Sequence, residues 1–284
     1  MVALSLNMVV GYCGLLTLAH ASYFAIGSYA YSLAALKLGW GFLPSVALGA
    51  SLAALLSLAV SLPAWRLRGD FFIMISLAVQ ALVFSAIHNW GNPNFQLGTL
   101  QNLTNGPYGI AAVPKPDMFG IKLDTIGDMA ALSFAVSAVC LFLAWVLLRS
   151  PWGRLLQAMR DDELAARSLG KNVRLLKVQA FAIACALAAV GGALYGSYVG
   201  YVDSSLASID HSILMLSMVI VGGTGNFRGP LVGAAVLIAI PEVLRFAKIP
   251  DASAAEIRLM AYGLLLIVVT HFRPQGLAGR YRVQ

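Results

Sequence analysis

The chain has 284 residues, 60% of them hydrophobic and 11% charged, whereas soluble domains run near a quarter charged. Water is therefore not its main solvent. Nineteen Lys and Arg against twelve Asp and Glu give a formal charge of +7, but the basic residues gather in loops that fall on one side of a membrane, which argues against nucleic acid as the partner.

Apolar blocks near the length that crosses a hydrocarbon core of about 30 Å lie at 2–19, 21–37, 42–65, 71–90, 128–148, 177–200 and 257–272. No Lys or Arg precedes Lys37, so the first block lacks the basic start of a signal peptide and is expected to stay in the protein. Between 211 and 244 two shorter arms flank the turn-rich run Gly222-Gly-Thr-Gly-Asn-Phe-Arg-Gly229. They read either as two short spans or as a re-entrant hairpin. The predicted fold is an all-α polytopic transmembrane bundle of eight or nine spans, forming one transmembrane domain over 1–284. Cys13, Cys140 and Cys185 each sit inside an apolar block and read as packing residues.

With the arms counted as two crossings, thirteen of the nineteen basic residues fall on one side and six on the other. The richer side is expected to be cytoplasmic. It holds the 149–177 loop, whereas 91–127, rich in Asn, Gly and Pro, lies outside as a structured cap or docking surface. Small residues recur every fourth position at Gly49, Ala53, Ser57 and Ser61, and again at Ala184, Ala188, Gly192, Gly196 and Gly200. Such stripes let helices approach closely in lipid, where apolar burial alone gives little reason to associate.

Residue types that would carry enzyme chemistry are not assembled. His20, His88, His211 and His271 lie on separate segments without metal-ligand spacing. A phosphate loop needs G-x-x-x-x-G-K-[ST]; around Gly170-Lys171, Ala165 replaces its first glycine and Asn172 its hydroxyl. Gly223-Thr-Gly225-Asn-Phe-Arg228 puts Arg where a dinucleotide fingerprint needs its third glycine. The chain is expected to bind no metal and no cofactor, and any ATP must sit on another chain.

The 149–177 loop is amphipathic. Leu155, Leu156, Met159, Leu164 and Leu169 fall near helical spacing and Gly170 is placed to end a short helix. A compact helix lying across the inner membrane face is expected.

Glu163-Leu-Ala165-Ala166-Arg-Ser-Leu-Gly170 resembles the E-A-A-x-x-x-G signature of importer permeases, with Leu164 inserted. Arg160-Asp161-Asp162-Glu163, Leu169-Gly170 and Asn172-Val173 make the loop similar to that of branched-chain amino acid permeases of the M-subunit type, within the ATP-binding-cassette importers. Further matches run through most of the chain: Leu4-Ser-Leu-Asn7, Gly11-Tyr-Cys-Gly14, Leu18-Ala-His20-Ala21, Leu67-Arg-Gly69-Asp70, Gly191-Gly-Ala-Leu-Tyr195, Gly222-Gly-Thr-Gly225 and Arg273-Pro-Gln-Gly276. The chain departs from the family in entering the Leu-Asn…Gly-Tyr motif almost at its first residue.

The resemblance implies a multi-pass subunit of the bacterial inner membrane, working with a second homologous permease, two ATPase subunits that hold ATP and Mg, and a periplasmic or extracellular binding protein that delivers an amino acid. It implies that Arg160, Asp161, Asp162, Glu163, Ala165, Ala166 and Gly170 couple to the ATPases.

For the pathway, broken glycine-rich helices free backbone groups that can meet a zwitterion, which singles out Gly11, Gly14, His20, Gly222, Gly225 and Asn226. Gln80, an amide inside an apolar span, joins them. A same-family permease for urea, short amides or aromatic acids would share these features. An ion-coupled carrier would carry a carboxylate at membrane depth; here the span centres are nearly free of Asp and Glu, with Glu242 the main exception.

Overall fold

The computed structural model describes residues 1–64, 70–92, 94–118, 121–123, 125–246, 251–273 and 275–278. Of the expectations above, Arg66, Arg68, Lys248, Arg280 and Arg282, most of the Leu67-to-Asp70 motif, and the side chain of Glu242 lie outside the described residues. Eleven helices appear among those described: α1 (Val2–Asn7), α2 (His20–Lys37), α3 (Phe42–Ala64), α4 (Asp70–Asn89), α5 (Ile126–Arg149), α6 (Pro151–Asp161), α7 (Glu163–Ser168), α8 (Val173–Val199), α9 (Ile209–Gly222), α10 (Gly229–Phe246) and α11 (Asp251–Phe272). Segments in α3, α4 and α5, together with α8, are long and apolar enough to cross a membrane, and α1, α9 and parts of α10 and α11 are shorter apolar helices. The all-α polytopic bundle expected from the apolar blocks is the architecture observed.

The first block differs from a single span over 2–19. After α1 the backbone widens into a π-helical turn at Met8–Tyr12, and 14–19 is non-helical. Gly11 and Gly14 weaken the helix where it opens, and Gly14 turns the chain with a φ of 69°. α2 then starts beside α1, because the His20 imidazole Nε2 lies 2.8 Å from Ser5 Oγ.

α2 is buried on nearly all sides, from His20 and Tyr23 to Ser32 and Ala34, as expected of a helix at the centre of a bundle. It packs on α8 at backbone contact: a Cβ on Gly27 would overlap the Ala189 carbonyl, and one on Gly192 the Phe24 carbonyl oxygen. On its other side α3 approaches closely enough that a Cβ at Gly49 would lie 3.2 Å from Gly27 Cα. Aromatic packing fills the remaining space, with Tyr23 and Phe72 each edge-on to Phe181 at 5.7 and 5.8 Å.

α9 and α10 form an antiparallel hairpin closed by glycines, since a Cβ at Gly233 would overlap the Met218 carbonyl oxygen and one at Gly222 the Gly229 carbonyl oxygen. The turn between them reaches the same end of the bundle as α6. Leu277 and Ala278 return there after α11, their N–H groups donating to the carbonyls of Val221 and Gly222 at 2.9 Å each. α9 begins beside Gln80, halfway along α4, with Ser212 Oγ 3.4 Å from Gln80 Oε1, so its 14 residues cover only part of the bundle's depth. The opposite end is capped by 91–127, where β1 (Ile110–Ala111) pairs with β2 (Tyr201–Val202) and Thr104 Oγ1 donates to the Ile87 carbonyl at 2.6 Å.

Candidate coupling and translocation site

The 149–177 loop folds as two helices rather than the single compact helix expected. α6 starts with Pro151 in its first turn and buries Leu156 and Met159. At Asp162 the backbone becomes extended, with φ −150° and ψ 103°, and the Asp162 carboxylate caps α7 by accepting from Leu164 N at 2.9 Å and Ala165 N at 3.0 Å. An Asp–Asp–Glu run supplies this cap in place of one continuing helical turn.

Glu163 then bridges to Arg167 one turn on, and to Lys177 of α8 at 2.8 Å. Burial alone would raise its carboxyl; the hydrogen bond and charge of Lys177, with those of Arg167, reverse that and hold it below the ordinary value. Gly170 stops α7 with a φ of 74° and open space around it. Ala166 is buried toward the bundle, whereas Leu164 and Leu169 are 69% and 78% exposed. The loop thus presents an apolar knob on a base tied to α8.

Arg160, at the end of α6, points the other way. Its side chain is 13% exposed. Nη1 donates to the Gly11 carbonyl at the break after α1, while Nε and Nη2 donate to Asp161 Oδ1 at 3.1 and 3.0 Å. A Cβ on Gly225 would lie 2.7 Å from Nη1, and one on Gly14 would lie 2.8 Å from Arg160 Cγ.

Asn7 completes this junction. Its Nδ2 donates to the Asn226 carbonyl at 3.0 Å and its Oδ1 accepts from Gly225 N at 3.1 Å. Asn226 Nδ2 in turn donates to the Ala278 carbonyl at 2.7 Å. Gly11, Gly14 and Gly225, singled out in two distant segments, therefore meet around the Arg160 side chain, and Asn226 joins the junction through Asn7.

His20 and Gln80 occupy a second cluster, at the depth where α2 begins and halfway along α4. Gln80 is 2% exposed. Its Oε1 accepts from Ser22 Oγ at 2.5 Å and Ser22 N at 3.2 Å, and lies 3.4 Å from Ser212 Oγ; its Nε2 donates to the Ala207 carbonyl. Ser212 Oγ accepts from Ala21 N at 3.2 Å. One amide thus joins α2, α4, α9 and the 3-10 turn at Ser204–Ala207. Beside it a cavity of about 290 Å³ is lined by Leu77, Gln80, Ala81, Phe84, Ala207, Ser208 and Ile209.

In the α8 stripe, Ala184, Ala188, Gly192 and Gly196 are buried. Gly200 stands apart: it caps α8 with a φ of 72°, and the nearest atom to a Cβ there would be 4.0 Å away. Sequence reasoning passed over Asn7, Ser22 and Ser212 as site residues. The signal that finds them is the one that found Gln80, a polar side chain inside an apolar segment. No group of three His, Cys, Asp or Glu places a metal site among the described residues.

Residues 1–270 match the family described as branched-chain amino acid transport system / permease component. The chain belongs to that family. This permease is 30% identical over 304 residues to the high-affinity branched-chain amino acid transport system permease protein LivM of Escherichia coli K12, a match covering 99% of this chain and 68% of the relative. It is 26% identical to BraD of Pseudomonas aeruginosa, a permease protein described in the same words, over all of this chain and 92% of that one. An autoinducer 2 import permease, LsrC of Salmonella typhi, is 25% identical over 51% of this chain and 41% of its own length. No solved structure matches the permease. It is a multi-pass protein of the bacterial inner membrane, as its relatives and its apolar helices require.

Proposed function

We propose that the permease forms one half of the membrane channel of an ATP-driven importer of branched-chain amino acids. A second permease chain is its partner across the pathway, ATP and Mg sit on two ATPase subunits docked on the α6–α7 loop, and a binding protein delivers substrate at the face capped by 91–127. The names of LivM and BraD support the substrate class. The observation that carries the mechanism is the loop itself, with exposed Leu164 and Leu169 on an α7 held to α8 through Glu163 and Lys177. An apolar projection on a charged, membrane-facing base suits a groove on a soluble partner.

Movement of that partner would reach the bundle through α6. The pathway is read along the polar cluster at Gln80, where α2 begins without a helix before it and its N-terminal amides face serine and amide groups instead of hydrocarbon. The apolar wall of the neighbouring cavity suits a branched aliphatic side chain.

The test uses vesicles holding the full complex and labelled leucine. Leu169→Glu is expected to leave the permease inserted but to release the ATPase subunits on purification and abolish ATP-driven uptake. Labelled urea in the same vesicles decides the substrate: urea uptake with no leucine uptake refutes the amino-acid reading.

A further inference from the structure

We propose that Arg160 is the strut that carries motion of the α6–α7 loop to the break after α1 and to the α9–α10 turn, so that one side chain links ATPase movement to both broken elements. This rests on the importer reading above. The carbonyl that Arg160 holds is one that the π-helical turn sets free. In a regular helix the Leu15 N–H would close on Gly11; here it reaches back to the Val9 carbonyl at 3.1 Å, and the guanidinium takes the vacated acceptor.

The space is shaped to the side chain from both sides. Gly14 leaves room for its stem and Gly225 for its tip, both at positive φ, and any larger residue at either position would displace the guanidinium. Asp161 Oδ1 holds the fork from behind by accepting from both Nε and Nη2, which keeps the planar group in register with α6 rather than with the bundle.

α6 is itself a stiff lever. Gly153 packs so tightly on the Leu148 carbonyl that a Cβ would overlap it, fixing the α5–α6 corner, and Leu156 is wholly buried. A shift of α6 therefore displaces Arg160 with it. Gly11 follows through its hydrogen bond to the guanidinium, Gly225 through close packing on Gly11 and Nη1, Asn7 through its bonds to Gly225 and Asn226, and Asn226 passes the displacement to Ala278 beyond α11. A packed junction of this kind has few intermediate arrangements and switches between discrete ones.

The experiment reads leucine moved per ATP hydrolysed in vesicles holding the full complex. Arg160→Met is expected to retain the ATPase subunits on purification while the ratio falls at least tenfold. Arg160→Lys, which can reach the Gly11 carbonyl but lacks the fork on Asp161, is expected to recover a third or more of the wild-type ratio.

A residue that merely staples the fold would lower the yield of complex and leave the ratio of the surviving complex unchanged, and that result overturns the proposal. If Arg160→Met does not accumulate, Gly225→Ala serves instead: the same fall is expected, and a wild-type ratio overturns the strut. A wild-type complex without ATP-driven leucine uptake overturns the importer reading, and the strut with it. A coupled wild type with an equally coupled Arg160→Met overturns the strut alone.

Discussion

Glu163 shows how one carboxylate can hold a loop against three demands. It opens α7, pairs with Arg167 within that helix and reaches Lys177 on α8. Because its folded pKa lies below the ordinary glutamate value of about 4.3, the pairing stabilises the folded loop above that value and is lost as pH falls through the lowered one. Hydrogen exchange of the α7 amides, corrected for intrinsic rates, should be flat through neutral pH and accelerate only in acid. Glu163→Gln should loosen α7 at neutral pH and remove the acid step. Asp162→Ala removes the cap and should cost α7 about 1 kcal/mol, read as faster exchange at Leu164 and Ala165.

At the scale of elements, the long helices were legible because most apolar blocks have the length of a hydrocarbon-crossing helix, and boundaries such as Pro151 and Gly170 carry local chemistry. The break after α1 was half legible: Gly11 and Gly14 marked a weak point, but the π-helical turn is completed by Arg160, 149 residues away. The split of the 149–177 loop at Asp162 was obscured because Leu164 and Leu169 continue a helical pattern, although both project outward. Spacing of four also over-extended the α8 stripe to Gly200, where glycine serves a positive φ instead of a neighbouring helix. Gly192→Ala should therefore drive α2 from α8 and lower the thermal stability of the purified permease by several degrees. Gly263→Ala in α11, where a Cβ meets nothing within 4 Å, should leave it unchanged or slightly raised.

Across the whole molecule, Gln80 is the polar tie at mid-depth. Gln80→Leu would leave the Ser22 hydroxyl and the Ala207 carbonyl without their partner, at a cost of about 1–3 kcal/mol. Unfolding in detergent should register that loss, and Gln80→Glu should restore the bond to the Ala207 carbonyl only while its carboxyl is protonated, since a carboxylate cannot donate. Its depth made Gln80 visible in the sequence, while Ser22 and Ser212 did not stand out because serine is common in membrane helices. Which polar residues meet is set by packing across the bundle, and no local period reports it.

The hydrogen bonds from Asn7 to Asn226, and from Asn226 to Ala278, join the two ends of the described chain in one knot. Such a knot fixes an order of events during synthesis. α1 is synthesised before its partners Gly225 and Asn226, which lie 218 and 219 residues beyond Asn7, so the Asn7 amide must wait for them while the intervening crossings insert. Until that hairpin arrives the nascent protein holds its earlier helices without this junction, and a factor that shields the waiting segment would lessen its chance of pairing wrongly.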